Sequence, residues 1–222
     1  MSELIDLWSV QEPISYEYYL KEKVLRFYPH TEYPLDMDIS ALSSEELFDS
    51  PHYVMCREEY DFMRKHMSLR LKNYKGNYPV WAWTERPPLP EWGGISGLKH
   101  YCFHIRVPKE RVLVSSFDAW CCIYGNKDYV ALCEEEYNAF DKWREVSNSL
   151  PDREQQREII REVIRKTWRR IFEVDLLADY DYWTPVQLQA VIEEVYEDEV
   201  IEIEQFISVS ALDDDDEEED EL

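Results

Sequence analysis

Two histidines four residues apart, His100 and His104, have a spacing that would bring both rings to one metal ion if they lay on a helix. The local pattern says strand instead. Tyr101, Phe103, Ile105 and Val107 alternate with Cys102, His104 and Arg106. On a strand, positions i and i+4 share a face but stand about 13 Å apart, too far for one tetrahedral centre. The thiols are the next candidates. Cys102, Cys121 or Cys122 beside His100 or His104 would make a Cys-His nucleophile, provided that one thiol titrates early. The adjacent pair Cys121-Cys122 diverges and matches no zinc spacing. No metal site is therefore expected, and each cysteine reads first as a small apolar residue.

Carboxylates are too abundant for number alone to point anywhere, since Asp and Glu make up 48 of 222 residues. Three polar residues stand out by position as catalytic candidates. Asp118 follows an apolar strand and precedes a helix, where it would also serve as an N-cap. Gln189 and Glu193 sit in a late apolar strand. Rings supply the other candidate set. Trp8, Trp81, Trp83 and Trp120 would first fill a core, and as a ligand site would line a pocket for a flat molecule. Ser9, Gln11, Tyr78 and Ser115 are the polar groups that would complete such a pocket.

The elements that must position these residues follow from periodicity. Residues 4–11 read as a first strand and 16–27 as a helix. Ser43 to Glu46 fits a capping box before a short helix. Tyr60, Met63, Met67 and Leu71 form one stripe of a helix over 57–72. Residues 78–84 (YPVWAWT), 100–107, 111–115, 186–195 and 200–207 read as strands, with Ile201, Ile203 and Phe206 inward in the last. Helices are predicted over 119–124, 134–146 and 152–172, the longest opened by Pro151. Its core face is Ile160, Val163/Ile164, Trp168 and Ile171/Phe172. Strands and helices mix without a regular βαβ period. The expected class is α+β: a mixed, mainly antiparallel sheet with several packed helices, in a single domain over 1–207. Residues 208–222 are expected to be a disordered acidic tail, because nine acids in succession from Asp213 cannot pack.

Charge narrows the partners. A net charge of −24 repels phosphate backbones and anionic lipid, so direct nucleic-acid binding and a membrane patch are not expected, while a basic protein partner is permitted. With only 5 Gly, a glycine-rich phosphate cradle has no place outside Trp92 to Gly97. Five cysteines at irregular spacing are no disulfide framework. There is no basic stretch ahead of the first apolar run and no apolar segment of membrane-spanning length. The cytoplasm is the expected location, with reduced thiols.

Several segments in order resemble an uncharacterised bacterial family, the domain of unknown function 3841. Trp8-Ser9-Val10-Gln11, Tyr60-Asp61-Phe62-Met63 with Met67 and Arg70, Tyr78-Pro79-Val80-Trp81-Ala82-Trp83 and the run Val112 to Trp120 with Asn126 carry the likeness. Trp168, Ile171, Phe172 and Gln189 complete it. The family looks like L-S-D-F-D where this chain has Ser116 in place of the first Asp, and carries His where Cys121 stands. The resemblance implies a cytosolic protein of bacterial or phage origin and implies no activity.

Two functions of different class follow. The first is a protein-interaction or regulatory protein without catalysis, whose acidic surface and tail engage a basic partner. It needs no cofactor. The alternative is an NAD-using enzyme of the ADP-ribosyltransferase type, with an aromatic-lined cleft. Ser9 and Gln11 on an early strand, Tyr78 to Trp83 on a middle one, and Gln189 or Glu193 on a late one follow the order of that class. Glu193 or Gln189 would orient the nucleophile while the site stabilised an oxocarbenium-like ribose. The first strand lacks the His or Arg that such enzymes carry.

Overall fold

A computed structural model of the chain describes residues 2–27, 56–91, 97–149 and 152–209. The capping box at Ser43 to Glu46, the loop over 29–39 and most of the glycine run at 92–97 lie outside these residues, as do 210–222 of the acidic tail. Among the described residues, eight strands pair in two sheets. They are β1 (Leu4–Gln11), β2 (Val24–Arg26), β3 (Val80–Trp83), β4 (Lys99–Pro108), β5 (Leu113–Ser116), β6 (Leu188–Ile192), β7 (Glu194–Tyr196) and β8 (Val200–Ile207). The larger sheet has the order β5-β6-β3-β1-β4-β8, and β2 pairs with β7 apart from it. Strand β1 pairs antiparallel with β3 and β4, and β4 with β8. The class is α+β with a mainly antiparallel sheet and packed helices, as the mixed element order requires.

The described residues fall into two compact units, one from 1–113 with 190–222 and one from 114–189. In the first, α1 (Pro13–Glu22) lies against one face of the sheet: Tyr16 stacks on Tyr101 at 3.8 Å and Tyr19 meets Phe103 edge-on at 5.0 Å. Tyr101, Phe103, Ile105 and Val107 are all buried, so the alternation read from the sequence marks the inner face of β4. Helix α2 (Arg57–Arg70) buries Tyr60, Met63 and Met67, with Leu71 just beyond, which is its expected stripe.

The second unit holds α3 (Phe117–Asn126), α4 (Glu134–Asn148), α5 (Arg153–Thr167) and the short α6 (Val174–Leu177). Ile160, Ile164, Trp168 and Ile171 are buried as predicted, but the long helix tightens into a 3₁₀ turn from Trp168 to Phe172. Glu136 accepts from Arg170 at 2.8 Å and from the Leu132 N–H at 2.9 Å, and Trp183 donates its indole N–H to the Ala131 carbonyl at 2.8 Å.

Four local readings change. The helix expected over 16–27 starts earlier and stops at Glu22. Lys23 takes a left-handed φ of 59°, and the following Val24–Arg26 pairs with β7 instead. A three-residue strand gains a ladder only from a distant partner, which periodicity cannot reveal. The N-cap of α3 is Ser116, whose hydroxyl accepts from the Ala119 N–H, and Asp118 stands inside the first turn. The strand expected over 186–195 is two strands separated at Glu193. In β8, His104 pairs with Glu202 but Ile105 pairs with Val200, so Ile201 is the extra residue of a bulge and is 48% exposed rather than inward.

Candidate functional site

The apolar run Leu188 to Tyr196 contains two adjacent acids, Glu193 and Glu194, and both are buried. A buried carboxylate needs donors, and the turn that follows α2 supplies them. The main-chain N–H of Lys75 donates to both oxygens of Glu193, at 2.9 and 2.8 Å, and that of Asn77 donates to one at 2.8 Å. Glu194 takes the side chains: the Lys75 ammonium at 2.6 Å, the Tyr196 hydroxyl at 2.9 Å and the Asn77 amide at 3.4 Å, with Arg26 at 3.7 Å.

The turn is shaped to be held in this way. Asn73 has a φ of 60° and Gly76 one of 107°. At Gly76 that angle, which L side chains rarely adopt, explains the glycine. Arg64 of α2 donates twice to the Gly76 carbonyl and lays its guanidinium 4.4 Å from the centre of the Tyr78 ring. Arg111 donates to the Glu194 carbonyl at 2.7 Å, pairs with Glu199 and approaches the Tyr196 ring at 5.3 Å. These groups border a cleft of about 330 Å³ lined by Leu71, Lys72, Asn73, Tyr74, Lys75, Arg111, Glu193, Glu194 and Tyr196.

Electrostatically the cleft is a closed account of opposite charges. Burial alone would raise the Glu194 carboxyl, but the hydrogen bonds from Lys75 and Tyr196 and the charges of Lys75 and Arg26 hold it below its usual range. The same Glu194 bond, with that of Tyr196, lifts the Lys75 ammonium above its ordinary value. A carboxylate whose folded value is depressed contributes stability that is present above about pH 4.5, its unfolded range, and lost as the pH falls through the folded value. Glu136 is also depressed, where Arg170, the Leu132 N–H and Tyr129 outweigh burial. Denaturant midpoints should therefore fall between pH 5 and pH 3, and Glu194→Gln should flatten that acid limb. A variant whose limb runs parallel to the wild type would show that Glu194 carries none of it.

The residues singled out in the sequence divide between the two units. In the first, Trp8 is half-buried and stacks on His104, with ring centres 4.9 Å apart and planes 7° from parallel, and it stands opposite Trp83 in the sheet. His104 also meets Asp6 at 3.0 Å, whereas His100 stacks on Phe206, so the two histidines have different partners. Ser9 is buried, donates to the Trp81 carbonyl at 2.6 Å and accepts from Gln11 at 2.7 Å. Trp81 meets Tyr60 edge-on at 6.3 Å, and burial pushes the Tyr60 hydroxyl up to about 12. Tyr78 is buried beneath Arg64.

In the second unit, Gln189 donates to Ser115 at 3.3 Å with both side chains buried, Asp118 is half-buried, and Trp120 is buried and stacked on Tyr124. Among these polar candidates, Ser9, Gln11, Ser115, Gln189 and Glu193 have hydrogen bonds within the chain. Burial also disfavours the thiolate at the three cysteines named as nucleophile candidates. Burial raises Cys102 to about 11 and Cys122 to about 12, and raises Cys121 with help from Asp118.

Glu193 was visible in the sequence as a late-strand acid. Lys75, Asn77, Glu194, Arg111 and Tyr196 match no motif in the sequence. The available signal was the doubled acid inside an apolar run, which demands buried donors from elsewhere in the chain.

Fold and site together define an α+β protein whose most organised polar cluster is a carboxylate clasp on a turn. The chain belongs to the family described as domain of unknown function (DUF3841), whose model matches residues 6–201. No curated protein and no solved structure matches it.

Proposed function

We propose that this protein is a non-catalytic interaction or regulatory protein that engages a basic protein partner. The observation that carries the reading is where charge is spent. In the cleft Lys75 is matched by Glu194, Arg111 by Glu199 and Lys72 by Glu110, so the chain's cations there are already engaged. With 48 acids against 24 Lys and Arg, the surplus is negative, and Glu197, Asp198 and Glu202 among others are exposed. A surface field of that sign accelerates encounter with cationic partners and rejects polyanions. The five cysteines are free thiols, which suits a cytoplasmic setting, and no described helix is long and apolar enough to cross a membrane.

The test is a pull-down from host extract at 50 and 300 mM salt, using the wild type and a variant with Asp213 to Glu221 changed to Asn and Gln. Capture should select basic proteins, weaken at least tenfold at the higher salt and be lost in the variant. A captured set indifferent to both salt and tail charge would refute the reading.

A further inference from the structure

The last strand of the larger sheet, β8, ends the strand order, and among the described residues its outer side pairs with no other strand. A strand in that position presents a row of main-chain N–H and C=O groups, which is a template for a further strand. Proteins commonly guard such edges with bulges and charges, and both occur here. The bulge at Ile201 disturbs only the start of the strand. From Glu202 to Ile207 the register against β4 is unbroken: Glu202 faces His104, Glu204 faces Cys102 and Ile207 faces Lys99. Six residues of regular strand, about 20 Å, remain for an incoming chain.

The side chains along this stretch differ by face. Glu202 and Glu204 share one face, where Glu202 is exposed and Glu204 reaches Arg86 at 2.6 Å. Ile203, Gln205 and Ile207 share the other, and Ile207 is 49% exposed. An added strand sets its own alternation beside these neighbours. Cationic side chains fit next to the exposed Glu202, and next to Glu204 only in exchange for Arg86, while apolar ones fit next to Ile203 and Ile207. A second copy of this chain fits poorly, because β8 against β8 would put Glu202 and Glu204 near their own like charges.

The geometry points to β8 as a docking edge for an extended segment of a basic partner, one that alternates Lys or Arg with β-branched apolar residues and adds to the sheet as a further strand. This rests on the reading of a basic partner and specifies where and how it binds. Charge supplies attraction, and main-chain hydrogen bonds to Glu202–Ile207 supply the geometry.

The test uses the full chain and the labelled peptide Lys-Val-Lys-Val-Lys-Val-Lys, followed by fluorescence anisotropy at 50 mM salt. The control is the same peptide with every backbone amide methylated, which keeps charge and side chains but cannot donate to the edge. The unmodified peptide should bind at least tenfold more tightly than the methylated one, and the double variant Glu202→Gln with Glu204→Gln should weaken it several-fold. Equal binding of the two peptides would overturn strand addition and leave the basic-partner reading to the salt and tail experiment. Failure of both to bind would overturn the docking edge as well.

Discussion

Replacing Phe103 by Ala should cost about 4 kcal/mol of stability. Phe103 lies on β4, between β1 and β8, with no exposed surface. Its ring meets Tyr19 edge-on at 5.0 Å and Tyr16 at 6.2 Å, so it joins α1 to the sheet. Truncation removes the transfer energy of a buried ring and leaves a cavity that the surrounding β-ladder cannot close, because Ser9 and Ile203 on either side are held in register by their own strands. Urea denaturation measures it directly. Phe103→Leu, which keeps most of the volume, should lose only about 1.5 kcal/mol. Equal losses in the two variants would mean that the site relaxes and the ring packing is not the source.

The second large effect is Glu193→Ala, expected to cost about 3 kcal/mol. The substitution leaves the N–H groups of Lys75 and Asn77 without their acceptor. Each charge-assisted bond contributes about 1.5 to 3 kcal/mol, and relief of the buried charge offsets part of the sum. Glu193→Gln separates the components. Its single carbonyl oxygen can still accept from the turn, so it should lose about half as much. The structural outcome is as informative as the midpoint. In Glu193→Ala the amides of Lys75 and Asn77 should exchange with solvent much faster than those of β4, because the turn has lost its clasp. Unchanged exchange at those two amides would show that the turn holds itself through Arg64 and Gly76 alone.

These two residues also show why part of the fold is legible in the sequence and part is not. Phe103 announces itself: it lies in a strict alternation with Tyr101, Ile105 and Val107, and a period of two admits only a strand with one buried face. The helix stripe from Tyr60 to Leu71 is legible for the same reason, with a period of 3.6. Glu193 is different. Its place in an apolar run signals burial but not its partners, and its donors are 118 and 116 positions away along the chain. The strand break at that residue, the pairing of Val24–Arg26 with Glu194–Tyr196 and the bulge at Ile201 belong to the same kind. Each is a choice made by a partner distant in sequence.

The sequence by itself determined the α+β class, the inner face of β4, the apolar stripe of α2, the core face of α5 and the excess of negative charge. All of these follow from local periodicity or composition, which need no knowledge of the neighbours. Only the tertiary structure decided that Ser116 rather than Asp118 caps α3, that Gln11 donates to Ser9 and Ser9 in turn to the Trp81 carbonyl, that Lys75 and Arg111 of the cleft meet Glu194 and Glu199 from far along the chain, and that β8 ends the strand order among the described residues. A hydrogen-bonding group has many possible partners of equal chemistry along 222 residues. Folding selects among them by proximity, and proximity is a property of the packed chain rather than of its order.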